Sequence, residues 1–272
     1  MLITAVLMQA AVNTLNDYKD FISGLDTTET ILEKEDASIV YNEIDPRHAR
    51  TFAIVILAVA AVFGAAVVLL SGWPLLVVGI VAAAVVVLYS IGPKPISYLP
   101  IGELVSGIVM GGLITCSTYY AMTQTFSPAV ITVAIPPIIT IALLMQTNNT
   151  CDIWRDREVG RRTLPAVIGL EYSVILARLL AWATPVYMVI WVAAFDVIIW
   201  RSFFLLIFDV VVAAGLYFML RGRLSQIASG PYNLVNRGMM MKNITEFCWL
   251  VNLGWVIILL VCWLLGNRFF IL

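Results

Sequence analysis

Residues 13–26 read NTLNDYKDFISGLD, placing three carboxylates, two asparagines and a lysine directly after a largely apolar run from Met1 to Val12. The chain around this acidic stretch is greasy throughout. Hydrophobic residues make up 61% and charged residues 12% of it, and the mean hydropathy is +0.96. Soluble domains carry about 25% charge. Apolar runs at 1–16, 51–71, 75–91, 101–121, 129–147, 174–197, 202–220 and 245–265 read as eight membrane spans, several of them near the ~20 residues that cross a hydrocarbon core. The pattern predicts an all-α, multi-pass transmembrane bundle forming one domain over residues 1–272. Met1 already lies in apolar sequence, without the charged start and small-residue cleavage site of a signal peptide. The first span is therefore short, or part of it lies upstream.

Charge placement orients the spans. With the first span running outward-to-inward, the connections 17–50, 92–100, 148–173 and 221–244 share one side. Together with Arg178 at an adjoining helix end, they hold fourteen of the sixteen basic residues, all but Arg201 and Arg268. The positive-inside rule makes that side cytoplasmic. A net charge of -1 with no Lys/Arg run gives no footprint for nucleic acid. Cys116, Cys151, Cys248 and Cys262 have neither metal-finger nor disulfide-framework spacing, and His48 stands alone.

A second acidic stretch, NNTCDIWRDREVGRRTLP at 148–165, also follows an inward-running span. Asn13, Asn16, Asp20, Gly24 and Thr27 are spaced 3, 4, 4 and 3 apart, and Asn149, Asp152, Asp156, Gly160 and Thr163 repeat that series 136 residues later. Spacing and topology together point to a four-plus-four parallel duplication, with pseudo-repeats at about 1–124 and 125–272.

Steps of three and four keep side chains on one helix stripe. Asn13, Asn16, Asp17 and Asp20 share one such stripe, and Asn148, Asn149, Asp152 and Asp156 a second. Carboxylates near a bilayer are costly and usually face a bundle interior or aqueous cavity, so the two stripes are expected to face each other. Carboxylate and amide oxygens suit Mg2+, which commonly adds substrate phosphates to its shell. Lys34, Arg157, Arg161 and Arg162 are the nearby cations that would meet phosphate oxygens. A competing reading treats each charge as a helix cap or interfacial anchor. For Glu29, Glu33, Glu35, Asp36, Glu43 and Asp45, in a long polar loop, that reading is preferred. The order of acids and glycine does not fit a calcium EF-hand.

The two stretches, with GPKPISYLPIGE at 92–103, resemble the aspartate-rich motifs of the UbiA superfamily of intramembrane prenyltransferases. Their form is similar to its 1,4-dihydroxy-2-naphthoate polyprenyltransferase branch, which acts in menaquinone biosynthesis. The resemblance implies a helical membrane enzyme that uses Mg2+ to move a polyprenyl group from polyprenyl diphosphate to a small aromatic acceptor. In that branch the acceptor's carboxyl group is lost. Asn16, Asp20, Asp152 and Asp156 fall on the family's metal–diphosphate positions. The third acid of the first motif falls on Asp26, where the wider family's position is Gly24. The resemblance further gives Asp20, Asp152 and Asp156 the catalytic role, and diphosphate contacts to Lys34, Arg161 and Arg162. Asn13, Asp17, Asn148 and Asn149 are added to those contacts from the stripes. The family's first helix is missing from the expected pattern, and SIVYNEIDPRHAR lacks the basic-and-glycine pattern usual at that place.

The expected chemistry is electrophilic: the allylic C–O bond breaks, and the bundle shields the carbocation from water. Tyr89 is the preferred ring to stabilise that cation, with Tyr98, Tyr119 and Tyr120 as further candidates whose rival role is packing. Glu103 is a candidate to orient the acceptor, or else a charge favoured at a helix N-terminus. Gly107 and Gly111 predict close helix packing. Two other classes stay open. One is a UbiA-type enzyme for 4-hydroxybenzoate or an archaeal glycerol phosphate ether lipid. The other is a cation-coupled transporter, disfavoured because the acids lie at one membrane face and no span is visibly broken by paired Gly and Pro.

Overall fold

The structure, a computed structural model, describes residues 1–27, 38–199 and 203–264. Its regular elements are all helical: α1 (Leu2–Ser23), α2 (Ser38–Tyr41), α3 (Pro46–Ser71), α4 (Pro74–Ser90), α5 (Gly102–Ser106), α6 (Ile114–Thr123), α7 (Pro128–Cys151), α8 (Ile153–Glu158), α9 (Leu164–Ile168), α10 (Leu170–Ile199), α11 (Phe203–Ser229) and α12 (Arg237–Leu264). A π-helical segment, Gly107–Leu113, joins α5 to α6, and single 3-10 turns occur at Ile96–Tyr98 and Leu234–Asn236. The protein is an all-α, multi-pass membrane helical bundle.

Five helices among the described residues are long and apolar enough to span a bilayer, not eight: Pro46–Ser71, Gly102–Thr123, Pro128–Cys151, Leu170–Ala194 and Leu234–Leu264. The shortfall has local causes. The last third of α1 is the polar acidic stretch, and α4 is only 17 residues long. The helices show no clear four-plus-four repeat. Apolar side chains on the outer faces mark the lipid-facing surface; Leu69 on α3 is 87% exposed and Ile80 on α4 is 61% exposed. In hydrocarbon, a helix satisfies its backbone internally, which lets such residues face outward without cost.

The chain folds into two compact units. The first comprises Met1–Gly102, Leu113–Phe126 and Asp152–Val167. Here α1 packs on α3 and α4 around Ala11, Leu15, Ala53 and Val86, the small residues letting α1 and α3 approach closely. Entry to α3 is fixed by Asp45, whose carboxylate accepts the Arg47 N–H at 2.8 Å, with Pro46 in the first turn.

The second unit comprises Glu103–Gly112, Ser127–Cys151 and Ile168–Leu272. Its core sets Leu143, Met188, Leu220, Phe247 and Val251 among α7, α10, α11 and α12. Pro136 and Pro137 lie inside α7, yet the helix stays continuous. Each proline lacks the N–H that would bond four residues back, which frees the carbonyls of Thr132 and Val133. Tyr187 Oη donates to Thr132 O at 2.7 Å, and Trp255 Nε1 donates to Val133 O at 2.9 Å. Neighbouring helices thus complete the bonds that the prolines remove. Just beyond them, Gly107 and Gly111 meet α7 backbone as expected: a Cβ on Gly111 would lie 2.4 Å from Ile138 N.

Candidate active site

Both acidic stretches contribute to the first unit, and the same cap shapes each. Gly24 (φ +76°) ends α1 and Gly160 (φ +76°) follows α8. Gly24 N–H donates to Phe21 O and Leu25 N–H to Asp20 O; likewise Gly160 N–H donates to Arg157 O and Arg161 N–H to Asp156 O. These are two Schellman caps. Asp20 and Asp156 occupy the same position in each, one turn before the glycine. The repeated Asp-x3-Gly spacing therefore has a physical basis: it is a helix ending that leaves a carboxylate beside a reversing chain.

Two guanidinium groups tie the motifs together. Arg161 Nη1 lies 3.4 Å from Asp20 Oδ1, and its Nε lies 3.3 Å from Asp156 Oδ1. Arg155 Nη2 lies 2.8 Å from Asp26 Oδ1, its Nη1 lies 3.5 Å from Asp152 Oδ1, and it also donates to Leu25 O at 3.1 Å. Asn16 Nδ2 donates to Asp20 Oδ2 at 2.8 Å, and Thr163 Oγ1 donates to Asp156 Oδ2 at 2.9 Å. The Arg161 guanidinium stands 5.4 Å from the Tyr98 ring centroid, and Lys19 Nζ is 5.5 Å from the same ring. Arg162 N–H donates to Tyr98 O, fixing the ring's backbone against the arginine pair.

Asp20, Asp152, Asp156 and Arg161 are all buried. Burial pushes the Asp20 carboxyl up to about 6, although Arg161 pulls it down. Asp152 rises to about 7 for the same reason, with Arg155 opposing. Asp17, beyond the apolar part of α1, rises to about 7 through burial and then through Asp26 and Asp20. Asp156 is also raised by burial, against Arg161 and Thr163. Burial works against the charge on Arg161, and Asp20 and Asp156 more than offset it. Within the cluster, Arg161 and Arg155 thus offset part of what burial costs the carboxylates. The cluster's carboxylate and amide oxygens are the donor set of a hard divalent cation. As they stand, no three carboxylate, thiol or imidazole groups among the described residues converge as ion ligands; guanidinium groups stand between the acids.

The remaining expected residues are placed as follows. Asn13 is exposed and accepts from Gln9 Nε2 at 2.9 Å, outside the acidic group. The Arg162 side chain is exposed, as is Arg157, which donates to Ala166 O and stacks on Trp154. Tyr89 is half-buried, its hydroxyl beside Gly102 and within the field of Arg161. Lys34 lies outside the described residues, as do Glu29, Glu33, Glu35 and Asp36. In the second unit, Asn149 Nδ2 donates to Glu103 Oε1 at 2.8 Å, and Asn148 Oδ1 accepts from Arg237 at 2.6 Å. Arg155, Thr163 and Arg237 are contacts that sequence reasoning left without a role. Arg155 was within reach of it, lying three residues after Asp152 on the same stripe.

The UbiA prenyltransferase family model matches residues 1–235. The chain belongs to this family. Among curated UbiA-type relatives, it is 34% identical over 176 residues to the 1,4-dihydroxy-2-naphthoate octaprenyltransferase of Bacillus subtilis, covering 65% of this chain and 56% of the relative. It is 27% identical over 172 residues to the Escherichia coli enzyme of the same name, covering 62% of this chain and 56% of that one. To human UbiA prenyltransferase domain-containing protein 1 it is 26% identical over 179 residues, covering 64% and 51%. The chain thus spans somewhat over half the length of these relatives. A solved UbiA homolog from Archaeoglobus fulgidus bound to DMAPP and Mg2+ shares the fold, with a TM-score of 0.55, 15% identity, and coverage of 93% of this chain and 88% of that one.

Proposed function

We propose that the protein transfers a polyprenyl group from its diphosphate to an aromatic acceptor, using Mg2+, and that the acceptor is 1,4-dihydroxy-2-naphthoate, which loses its carboxyl group. The observation that carries this reading is the placement of Asp20, Asp26, Asp152 and Asp156 in one cluster threaded by Arg155 and Arg161. Family membership and the names of the naphthoate octaprenyltransferases support it. The A. fulgidus homolog, bound to DMAPP and Mg2+, supports the metal.

In this mechanism Asn16, Asp20, Asp26, Asp152 and Asp156 supply the oxygen ligands. Mg2+ bound there would lend Lewis-acid stabilisation to the charge growing on the departing diphosphate. Arg161 and Arg155 would turn from the carboxylates they now hold to the phosphate oxygens, joined by Arg162, and Lys34 is assigned a further phosphate contact from the sequence alone. Asp17, on the same helix stripe as Asn16 and Asp20, completes the polar wall. Tyr89 offers its ring face to the allylic cation, and Tyr98 backs Arg161. Glu103 orients the acceptor. Apolar helix surfaces exclude water from the cation. The same reading sets the site's mouth on the cytoplasmic side and treats residues 1–272 as one domain.

The test is purified protein in detergent with a labelled polyprenyl diphosphate and dihydroxynaphthoate, with Mg2+ or with EDTA. Prenylated, decarboxylated product that depends on Mg2+ is expected. Ion flux in liposomes without any prenylated product would replace this reading with a transporter.

A further inference from the structure

We infer that Arg237 is a positioning residue, its guanidinium setting the orientation of the Glu103 carboxylate through the side-chain amides of Asn148 and Asn149. The inference rests on the proposed role of Glu103 in orienting the acceptor. All four residues lie in the second compact unit but on three segments: Glu103 opens α5, Asn148 and Asn149 end α7, and Arg237 begins α12. Arg237 Nη2 donates to Asn148 Oδ1 at 2.6 Å, Asn148 Nδ2 to Asn149 Oδ1 at 3.5 Å, and Asn149 Nδ2 to Glu103 Oε1 at 2.8 Å. The two outer links are charge-assisted and short, while the link between neutral amides is long, as their chemistry dictates.

The direction of the chain follows from its ends. Each amide turns its oxygen toward the cation and its nitrogen toward the carboxylate. Reversing Asn148 would set its NH2 group against a guanidinium; reversing Asn149 would set an oxygen against a carboxylate. Glu103 and Asn149 are both only 4% exposed, so a misaligned group there would lose water without gaining a partner. Arg237 also stands where a helix N-terminus disfavours positive charge. Its 2.6 Å bond to Asn148 gives that placement a compensating contact. In this reading the amides of Asn148 and Asn149 serve the acceptor through Glu103.

The experiment uses the full chain in detergent as wild type, Arg237→Gln, Arg237→Lys, Glu103→Gln and the Arg237→Gln/Glu103→Gln double variant. Gln keeps a donor for Asn148 but removes the charge; Lys keeps the charge. Arg237 and Glu103 do not belong to one contact pair, so a purely local role for Arg237 predicts additive losses in melting temperature. The relay predicts a drop of several degrees for Arg237→Gln in the wild-type background and little further drop once Glu103 is Gln, with Arg237→Lys close to wild type. In turnover, Arg237→Gln is expected to raise KM for the acceptor about five- to tenfold, the scale of one weakened hydrogen bond. KM for the prenyl diphosphate should move less than about twofold, and Arg237→Lys should restore the acceptor KM. Additive melting losses, or equal losses toward both substrates, would overturn the relay. If no aromatic acceptor is turned over, the proposed function falls, and the melting cycle still decides the relay.

Discussion

Arg161 and Asp20 stand 141 positions apart in sequence and 3.4 Å apart in space, Arg161 Nη1 to Asp20 Oδ1. This pair joins the two acidic motifs, and Asp156 holds the other edge of the same guanidinium. Removing Arg161 therefore takes the cation from two buried carboxylates, leaving them the neutral donors Asn16 and Thr163, whereas removing Asp20 leaves Arg161 its second partner. Arg161→Met should destabilise the protein by about 3–5 kcal/mol, the usual result of leaving buried charge uncompensated. Asp20→Asn should cost much less. Thermal melting in detergent, without substrate, separates the two; equal losses would show that the pair is not the junction.

Stability of the metal-free protein should fall as pH rises. The carboxyls of Asp20 and Asp152 are held near 6 and 7 by burial, above the ordinary value of 3.8. The folded state therefore binds their protons more tightly than the unfolded chain does. That contribution is fully present below pH 3.8 and is lost as pH rises through 6 and 7. In EDTA, the melting temperature should drop between pH 5 and pH 8. Mg2+ should raise it more at pH 8, where the carboxylates are ionised. A flat pH profile in EDTA would contradict the assigned burial.

Tyr187 and Trp255 satisfy the carbonyls freed by Pro136 and Pro137. Tyr187→Phe removes one donor and little volume, so it should destabilise by about 1–3 kcal/mol, the penalty for an unsatisfied buried acceptor. Trp255→Phe adds a packing loss and should cost more. A Tyr187→Phe variant that unfolds like wild type in a reversible denaturation series would mean that Thr132 O finds another donor.

Gly111→Ala should be among the most damaging single-methyl additions. Its Cβ would fall 2.4 Å from Ile138 N, a backbone atom that cannot swing away, whereas Gly79→Ala meets nothing within 4 Å. Overpacking of this kind costs about 1–3 kcal/mol. Comparing yield and melting of the two variants checks it, with Gly79→Ala expected near wild type.

The sequence carried the membrane class plainly, because long apolar runs have few other uses. The acids were legible because helical spacing and helix endings are local: Asp-x3-Gly writes the same cap at Asp20 and Asp156. Asn13 shares the stripe's angle but sits seven residues before Asp20, about 10 Å up the helix axis at 1.5 Å per residue, where it bonds Gln9 instead. Two of the eight expected spans fall short because the acidic end of α1 and the length of α4 depart from a span's apolar length. Arg155 and Arg237 were hidden for a different reason. Arginine at the positive-inside end of a span reads as an anchor, and only the tertiary fold shows that one reaches Asp26 and the other Asn148. Continuity of α7 through its two prolines likewise depends on helices remote in sequence.

The central claim, that the two acidic motifs grip one diphosphate together, is tested most directly by calorimetric titration of a non-reactive polyprenyl diphosphate analogue with Mg2+. Wild type, Asp20→Asn and Asp152→Asn are compared, each confirmed folded by melting. The account predicts Mg2+-dependent binding by wild type and a loss of at least about tenfold in affinity in either variant. Wild-type affinity in both variants, or binding indifferent to Mg2+, would contradict it.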